Sequence, residues 1–384
     1  MTTGLRLREN KEDRNRTADT IVSGRERPPA RIELRYERED NHPMANFTLE
    51  DVRQRTYKAR DAWWTVLLVD PLASRLVKFT ANRTRVTPNQ LTVGALILGL
   101  AAGGCFAVAG WPWLLAGALL YHLSFTLDCM DGKIARLKGT GSVFGAWLDY
   151  IFDRVRVLAC AIALMAGQYA ATHNVAYVWT AVAVVFLDML RYMDALEIYK
   201  VRSQMRATLN AAREEARDLE LAARRANGEV LDADEVGEDL RSAEGALRED
   251  PEADMENRVV GDDPAAKELQ QGFEARFPWY ARIRNVLMAG RIRPHLISGI
   301  EFQMGVFIVA PVAAAIVPGA VIPVVALSAL GMLTFELIII YKFWLASRDY
   351  SRSMAKLNGK IEEYRLQLPA ARRETADAAV GSGG

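Results

Sequence analysis

Residues 128–153 read DCMDGKIARLKGTGSVFGAWLDYIFD, and the fold follows from how a membrane-sized chain can accommodate this stretch. It holds four carboxylates in two pairs. Asp128 and Asp131 are three residues apart, Asp149 and Asp153 four apart, and on a helix either spacing puts both side chains on one face. Between the pairs, LKGTGSVFG contains three glycines and reads as a turn. The spacing predicts a helical hairpin with both acidic faces turned inward. Four converging carboxylates repel one another, and cations relieve that repulsion.

The flanks are apolar. WPWLLAGALLYHLSFTL runs into the first pair and VLACAIALMAG runs out of the second, segments long enough to cross a bilayer. An ionised carboxylate in such a setting must pair, protonate or bind a metal, and so points to function. Counting ~1.5 Å per residue from Arg136 or Val143, all four lie within about 15 Å of one membrane face. The expectation is a metal site just below the membrane surface.

Composition narrows the rest. The chain has 384 residues, but its hydrophobic residues are gathered into blocks, so length alone is a poor guide to domain count. A net charge of +1 gives no indication of nucleic-acid binding. Cys105, Cys129 and Cys160 lie in apolar segments without a CxxC, so neither a disulfide framework nor a zinc site follows. The polar N-terminus lacks the apolar core and cleavage site of a secretory signal peptide, which leaves targeting to the first membrane helix.

Taken in order, residues 1–45 are crowded with Arg, Glu, Asp and Asn and read as a disordered cytoplasmic tail. Over 46–84, Trp64, Leu67, Leu68, Leu72, Leu76 and Phe79 recur every three or four residues, predicting an interfacial amphipathic helix with Arg75, Lys78 and Arg83 at the headgroups; an ordinary packed helix is the other reading. Six spans follow, near 90–110, 113–136, 143–167, 175–198, 295–317 and 320–343. The loops GWP, QYAATHN and PGA carry no Lys or Arg, whereas the opposite side carries Arg83, Arg85, Lys133, Arg136, Lys138, Arg282, Arg284, Arg291, Arg293, Lys342 and Arg348. The positive-inside rule then places both termini and the carboxylate hairpin in the cytoplasm, in a plasma-membrane protein. Residues 201–292 form a hydrophilic insertion that begins as a strong helix, turns acidic, and ends in a basic, aromatic juxtamembrane helix; 346–384 is a polar tail with helical potential to about 367. The fold class is therefore an all-α membrane protein of six transmembrane helices.

An all-carboxylate site without nearby His or Cys favours Mg²⁺ or Mn²⁺ over zinc. Four carboxylates suit two ions, which can clamp a pyrophosphate or phosphoryl group during in-line displacement. Gly132 and Gly145 remove side chains where a ligand would approach; close packing of transmembrane helices explains them equally well.

The run Asp128, two residues, Asp131-Gly132, two residues, Ala135-Arg136, eight residues, Gly145, three residues, Asp149, three residues, Asp153 resembles the complete signature of the CDP-alcohol phosphotransferase family, also called CDP-alcohol phosphatidyltransferases. VTPNQLT before the first span and the six-span layout extend the resemblance to roughly residues 85–345, leaving out the N-terminal tail and the 201–272 insertion. The resemblance implies a membrane enzyme, a homodimer by family expectation, that moves a substituted phosphate from a CDP-linked donor to an alcohol and releases CMP. It implies that Asp128, Asp131 and Asp149 bind the metals and that Asp153, counted with them as a metal residue, is also the base for the acceptor hydroxyl. Gly132, Ala135, Arg136 and Gly145 would contact the CMP part of the donor, with Asn89 and Thr92 bordering it.

The acceptor is less determined. Arg156 shares the face of Asp149 and Asp153 and either holds an acceptor phosphate or pairs with an aspartate. Asp188, Arg191 and Asp194 stand at i, i+3, i+6, as a salt-bridge ladder or as part of an acceptor pocket. His295, Glu301 and Glu336 lie at the mouth of or inside the last two spans, as specificity residues or as bonds between helices. The leading reading is transfer from CDP-diacylglycerol to glycerol phosphate, an inositol phosphate or serine, in phospholipid biosynthesis within the lipid bilayer. Transfer of a headgroup from a soluble CDP-alcohol to a lipid is the alternative. An ion or proton transporter is disfavoured because the outer halves of the spans lack matching charges and no inverted repeat is visible, and a dead scaffold because every catalytic position is filled.

Overall fold

The computed structural model describes residues 46–226 and 278–368. The expectations for the 1–45 tail, the acidic part of the insertion and the last residues of the C-terminal tail lie outside the described residues. Among the described residues six helices are long and apolar enough to cross a membrane, and the chain is a multi-pass membrane protein.

Each boundary near the carboxylates has a local cause. Helix α3 (Pro88–Val108) starts at Thr87, whose hydroxyl accepts from the Gln90 amide while the Gln90 side chain reaches back to Thr87, with proline at the first helical position. Helix α4 (Trp111–Lys138) stops at Gly139, whose φ of 65° is the left-handed conformation that glycine adopts without steric cost. Ser142 then caps α5 (Val143–Thr172) by accepting from the Gly145 amide. The LKGTGSVFG turn is thus a helix stop and a helix start in immediate succession. The expected hairpin is present.

The six spans differ from expectation mainly at the fourth and sixth. Helix α6 (Ala176–Ala226) runs for 51 residues without a break, and the last span opens a 47-residue helix, α9 (Val321–Gln367). At ~1.5 Å per residue α6 is about 75 Å long, over twice the ~30 Å of a bilayer core. No glycine or proline interrupts α6, so the polar stretch after residue 200 continues the helix. Beyond the membrane the two extensions pack on each other in parallel. Ala212, Ala216, Leu219 and Ala223 line one seam and Met354, Leu357, Ile361, Tyr364 and Leu368 the other, both at the alternating three and four residue spacing of a coiled coil. Arg365 bonds Glu215 across it at 2.6 Å. The hydrophilic helix that opens the insertion is one strand of this pair.

The single amphipathic helix expected over 46–84 is two helices. Helix α1 (Leu49–Thr56) ends at Tyr57, and α2 (Asp70–Arg83) begins after one wide turn, Thr65–Val69. The intervening chain instead joins the segment ahead of the fifth span: the Asp61 amide donates to the Arg291 carbonyl at 2.9 Å and the Arg293 amide to the Asp61 carbonyl at 3.0 Å. Leu67, Leu68, Leu72 and Phe79 are exposed, while Val69, Ala73 and Val77 are buried. The apolar period contains both an inward and an outward face.

Helix α7 (Pro278–Ala289) precedes the fifth span, α8 (Gly299–Ile316), which widens by one turn at Gly305–Val309. The main core gathers Phe106 of α3, Tyr121 of α4, Leu164 and Met165 of α5, Val184 of α6, and Phe302 and Phe307 of α8. Tyr121 packs its ring on Phe307 at 4.7 Å between centroids. This core lies directly beneath the carboxylates.

Candidate metal centre

Asp128 and Asp131 at the end of α4 and Asp149 near the start of α5 each present a carboxylate oxygen within 4.8 Å of the others. The three come from two helices joined by a four-residue turn, so their convergence is a local consequence of the Gly139 stop and the Ser142 cap. Thr92 of α3 donates to Asp131 Oδ2 at 2.5 Å, which fixes one of the three from a third helix. Asp149 Oδ1 is buried and has no hydrogen-bond partner among the described residues. An orphaned buried carboxylate oxygen is costly unless a further cation or donor meets it. With an all-oxygen donor set, the residues present fit a hard divalent cation such as Mg²⁺ or Mn²⁺.

Asp153, the fourth carboxylate, stands apart from the three. Its Oδ1 pairs with Arg156 one turn along α5, and its Oδ2 lies 3.8 Å from Arg154. Arg156 is 2% exposed and also reaches Asp128 Oδ1 and Ser124 Oγ, each at 3.3 Å, with the Tyr121 ring 5.8 Å from its guanidinium. The stem of Arg156 passes over Gly99, where an added Cβ would come within 2.6 Å of Cγ and Cδ. In the structure Arg156 is a counter-charge shared by Asp128 and Asp153.

The nucleotide-side candidates sit around the trio. Asn89 abuts Gly145, where a Cβ would fall 2.8 Å from Asn89 Oδ1, so glycine there lets α3 close onto the start of α5. At Gly132 an added Cβ would meet only the Arg136 guanidinium, at 3.5 Å, an ordinary contact. A side chain at 145 would require the Asn89 and Ser142 side chains to shift, whereas packing leaves room for one at 132.

Of the acceptor candidates, Arg191, His295, Glu301 and Glu336 lie near one another where α6, α8 and α9 approach, while Arg156 sits with the carboxylates. Asp188 pairs with Arg154 and accepts from Gln303 Nε2 at 2.8 Å, and Arg191 pairs with Glu336 of α9 at 3.1 Å, so the i, i+3, i+6 ladder is absent. Glu301 caps its own helix through Ser298 and lies 3.7 Å from Arg293. His295 stands four residues before α8 and is held neutral, its pKa pushed down to about 3 by burial and by the nearby Arg293 and Arg191 charges. Glu301 and Glu336 thus act as bonds within and between helices.

Several residues here were not singled out from sequence. Arg154 carries Asp188 on one side and Asp153 on the other and lies 4.3 Å from the Tyr192 ring centroid. Lys133, inside the motif, turns away from the trio to pair with Asp70 of α2 at 3.0 Å. A charged residue in an apolar run was the available signal for both Arg154 and Asp70, the latter in TVLLVDPLA.

Comparison with known proteins bears on this geometry. Residues 85–211 match the family described as CDP-alcohol phosphatidyltransferase. It is 36% identical over 89 residues to a phosphatidylinositol phosphate synthase of Corynebacterium glutamicum, covering 23% of this chain and 37% of that protein. A Cutibacterium acnes protein of the same description is 33% identical over 128 residues, covering 32% of this chain and 55% of the relative. A chloroplastic CDP-diacylglycerol–glycerol-3-phosphate 3-phosphatidyltransferase of Oryza sativa subsp. japonica is 34% identical over 82 residues, 20% and 23% of the two chains. The matches span about half or less of each relative, and the family match covers the part that holds the carboxylates.

Proposed function

We propose that the protein is a membrane transferase that moves a substituted phosphate, phosphatidyl from CDP-diacylglycerol, to a small polar alcohol and releases CMP. The observation that carries the reading is the three-carboxylate cluster with its orphaned Asp149 oxygen, on the segment that matches the family. Asp128, Asp131 and Asp149 would hold Mg²⁺ or Mn²⁺, as one ion or two, which would neutralise charge on the donor diphosphate. Gly132, Ala135, Arg136, Gly145, Asn89 and Thr92 border the CMP part. The acceptor oxygen forms a new bond to the phosphorus while the bond from phosphorus to the CMP oxygen breaks, and Asp153 takes the acceptor proton. Outside the trio, Asp153 keeps an oxygen for that proton. Arg156 holds it in place.

A phosphate-bearing acceptor is favoured over an uncharged one. Arg191 and Arg293, each beside a glutamate, and Lys342 lie close enough to act electrostatically on His295, which gathers cationic side chains where α6, α8 and α9 meet. Two of the relatives are named phosphatidylinositol phosphate synthases, in keeping with an inositol phosphate. The charge asymmetry of the loops supports a cytoplasmic active site and termini in the plasma membrane. The test is CMP release by purified protein in lipid with Mg²⁺ or Mn²⁺. One arm receives CDP-diacylglycerol, the other soluble CDP-alcohols, each with inositol phosphate, glycerol phosphate, inositol and serine. Release with CDP-diacylglycerol and a phosphorylated acceptor is expected. Release only with a soluble CDP-alcohol would replace this reading with headgroup transfer to a lipid.

A further inference from the structure

Lys133 lies two residues after Asp131, yet its ammonium is buried against α2. It meets Asp70 Oδ1 at 3.0 Å with both side chains about 5% exposed or less. The other oxygen of Asp70 faces Arg291, whose Nη1 and Nη2 each approach it at 3.3 Å. Arg291 is itself held on several sides. Its Nε and Nη2 donate to the Lys58 carbonyl at 3.2 and 3.1 Å, and its guanidinium lies 4.1 Å from the Tyr57 ring centroid. Its φ is 62°, a left-handed conformation that a side chain bearing a Cβ adopts only when its surroundings enforce it.

These contacts form a continuous chain of charges. It runs from the segment that closes the insertion, through the first residue of α2, to the helix turn that carries two of the three clustered carboxylates. The buried ammonium needs its counter-charge, since removing one partner of a buried ion pair strands the other. We propose that Asp70 is a positioning residue for the metal centre: with Arg291 behind it, it pins Lys133 and thereby sets the rotation of the last turns of α4 that aims Asp128 and Asp131 at Asp149. The inference rests on the metal-site reading above. Asp70 and Arg291 both lie outside the stretch matched by the family.

The experiment measures Mn²⁺ affinity by the loss of the free-ion electron paramagnetic resonance signal, on full-length protein in detergent, with helical circular dichroism and melting recorded alongside. Outer contacts that orient metal ligands are worth about 10–100-fold in affinity. Asp70→Asn is expected to weaken Mn²⁺ binding at least about tenfold in protein with native helix content. Arg291→Gly, which accepts the left-handed backbone and deletes the side chain with its guanidinium, is expected to shift affinity in the same direction by less. Arg291→Lys should recover it. Asp70→Asn combined with Lys133→Met should bind no more weakly than the weaker single variant, because the two act as one unit. Should Asp70→Asn fail to fold, Arg291→Gly carries the test. Wild-type Mn²⁺ affinity in the folded variants would overturn the proposal. A wild-type protein that binds no Mn²⁺ would remove the metal-site reading and this inference together, an outcome distinct from the first.

Discussion

Arg156 and Asp153 pair one turn apart on α5, and the same guanidinium reaches across to Asp128 of α4 at 3.3 Å. One buried cation therefore serves a carboxylate of the metal cluster and the carboxylate assigned to proton transfer, and it fixes their separation. Removing it strands two half-buried anions. Arg156→Met is expected to cost about 3–5 kcal/mol of stability, read as a lower melting temperature in detergent. An unchanged melting temperature would show that water or other side chains compensate for the lost guanidinium.

Gly99 gives the same arrangement its space. An alanine there would place Cβ within 2.6 Å of the Arg156 stem in a fully packed region. Gly99→Ala is expected to destabilise by about 1–3 kcal/mol and to weaken Mn²⁺ binding as Arg156 shifts against Asp128. Ala95→Gly, at a buried position one turn earlier on the same helix face, supplies the comparison. Equal Mn²⁺ affinity in the two variants would argue against a special role for the gap at residue 99.

Asp153 and Asp131 separate chemistry from metal binding. Asp153→Asn should retain Mn²⁺ affinity within about threefold, well short of the ~10-fold loss that follows damage to a metal's immediate surroundings, while abolishing CMP release. Asp131→Asn should lose metal affinity as well. If both variants bind Mn²⁺ like wild type, the division of roles between the carboxylates is wrong.

His295 gives a pH dependence of stated sign. Its folded pKa is pushed down to about 3 from an ordinary value of 6.5, first by burial and then by Arg293 and Arg191. The unfolded chain thus binds a proton that the folded chain refuses. This contribution to stability is fully present above about pH 6.5 and declines as pH falls toward 3, by at most about 1.4 kcal/mol per pH unit. Melting temperature should drop more steeply between pH 7 and pH 5 in wild type than in His295→Gln. Parallel curves would place the titration elsewhere.

Much of this site was legible in the sequence because its geometry is local. Asp128, Asp131 and Asp149 converge through helix spacing and one short turn, and the six spans announce themselves by hydropathy. What stayed hidden depends on partners far along the chain. Asp70 and Lys133 are 63 residues apart and Arg291 lies 221 beyond Asp70, so no local period could reveal that they meet. The break between α1 and α2 has the same origin, since Asp61 pairs its backbone with Arg291 and Arg293 in place of continuing a helix. Glu301 and Glu336 were correctly marked as unusual in apolar surroundings, but sequence could not tell a helix cap or an ion pair from a ligand contact. Their partners, Ser298 with Arg293 and Arg191, decide it.

The most direct test of the account is the binding of CDP to protein stripped of divalent ions, titrated before and after Mn²⁺ is restored, in wild type and in Asp149→Asn. The carboxylate cluster predicts that wild type binds CDP only with Mn²⁺ and that Asp149→Asn, lacking the orphaned oxygen's charge, loses most of that binding. CDP affinity that is indifferent to Mn²⁺, or unaltered in Asp149→Asn, would contradict the claim that these three carboxylates hold the metal through which a CDP-linked donor is bound.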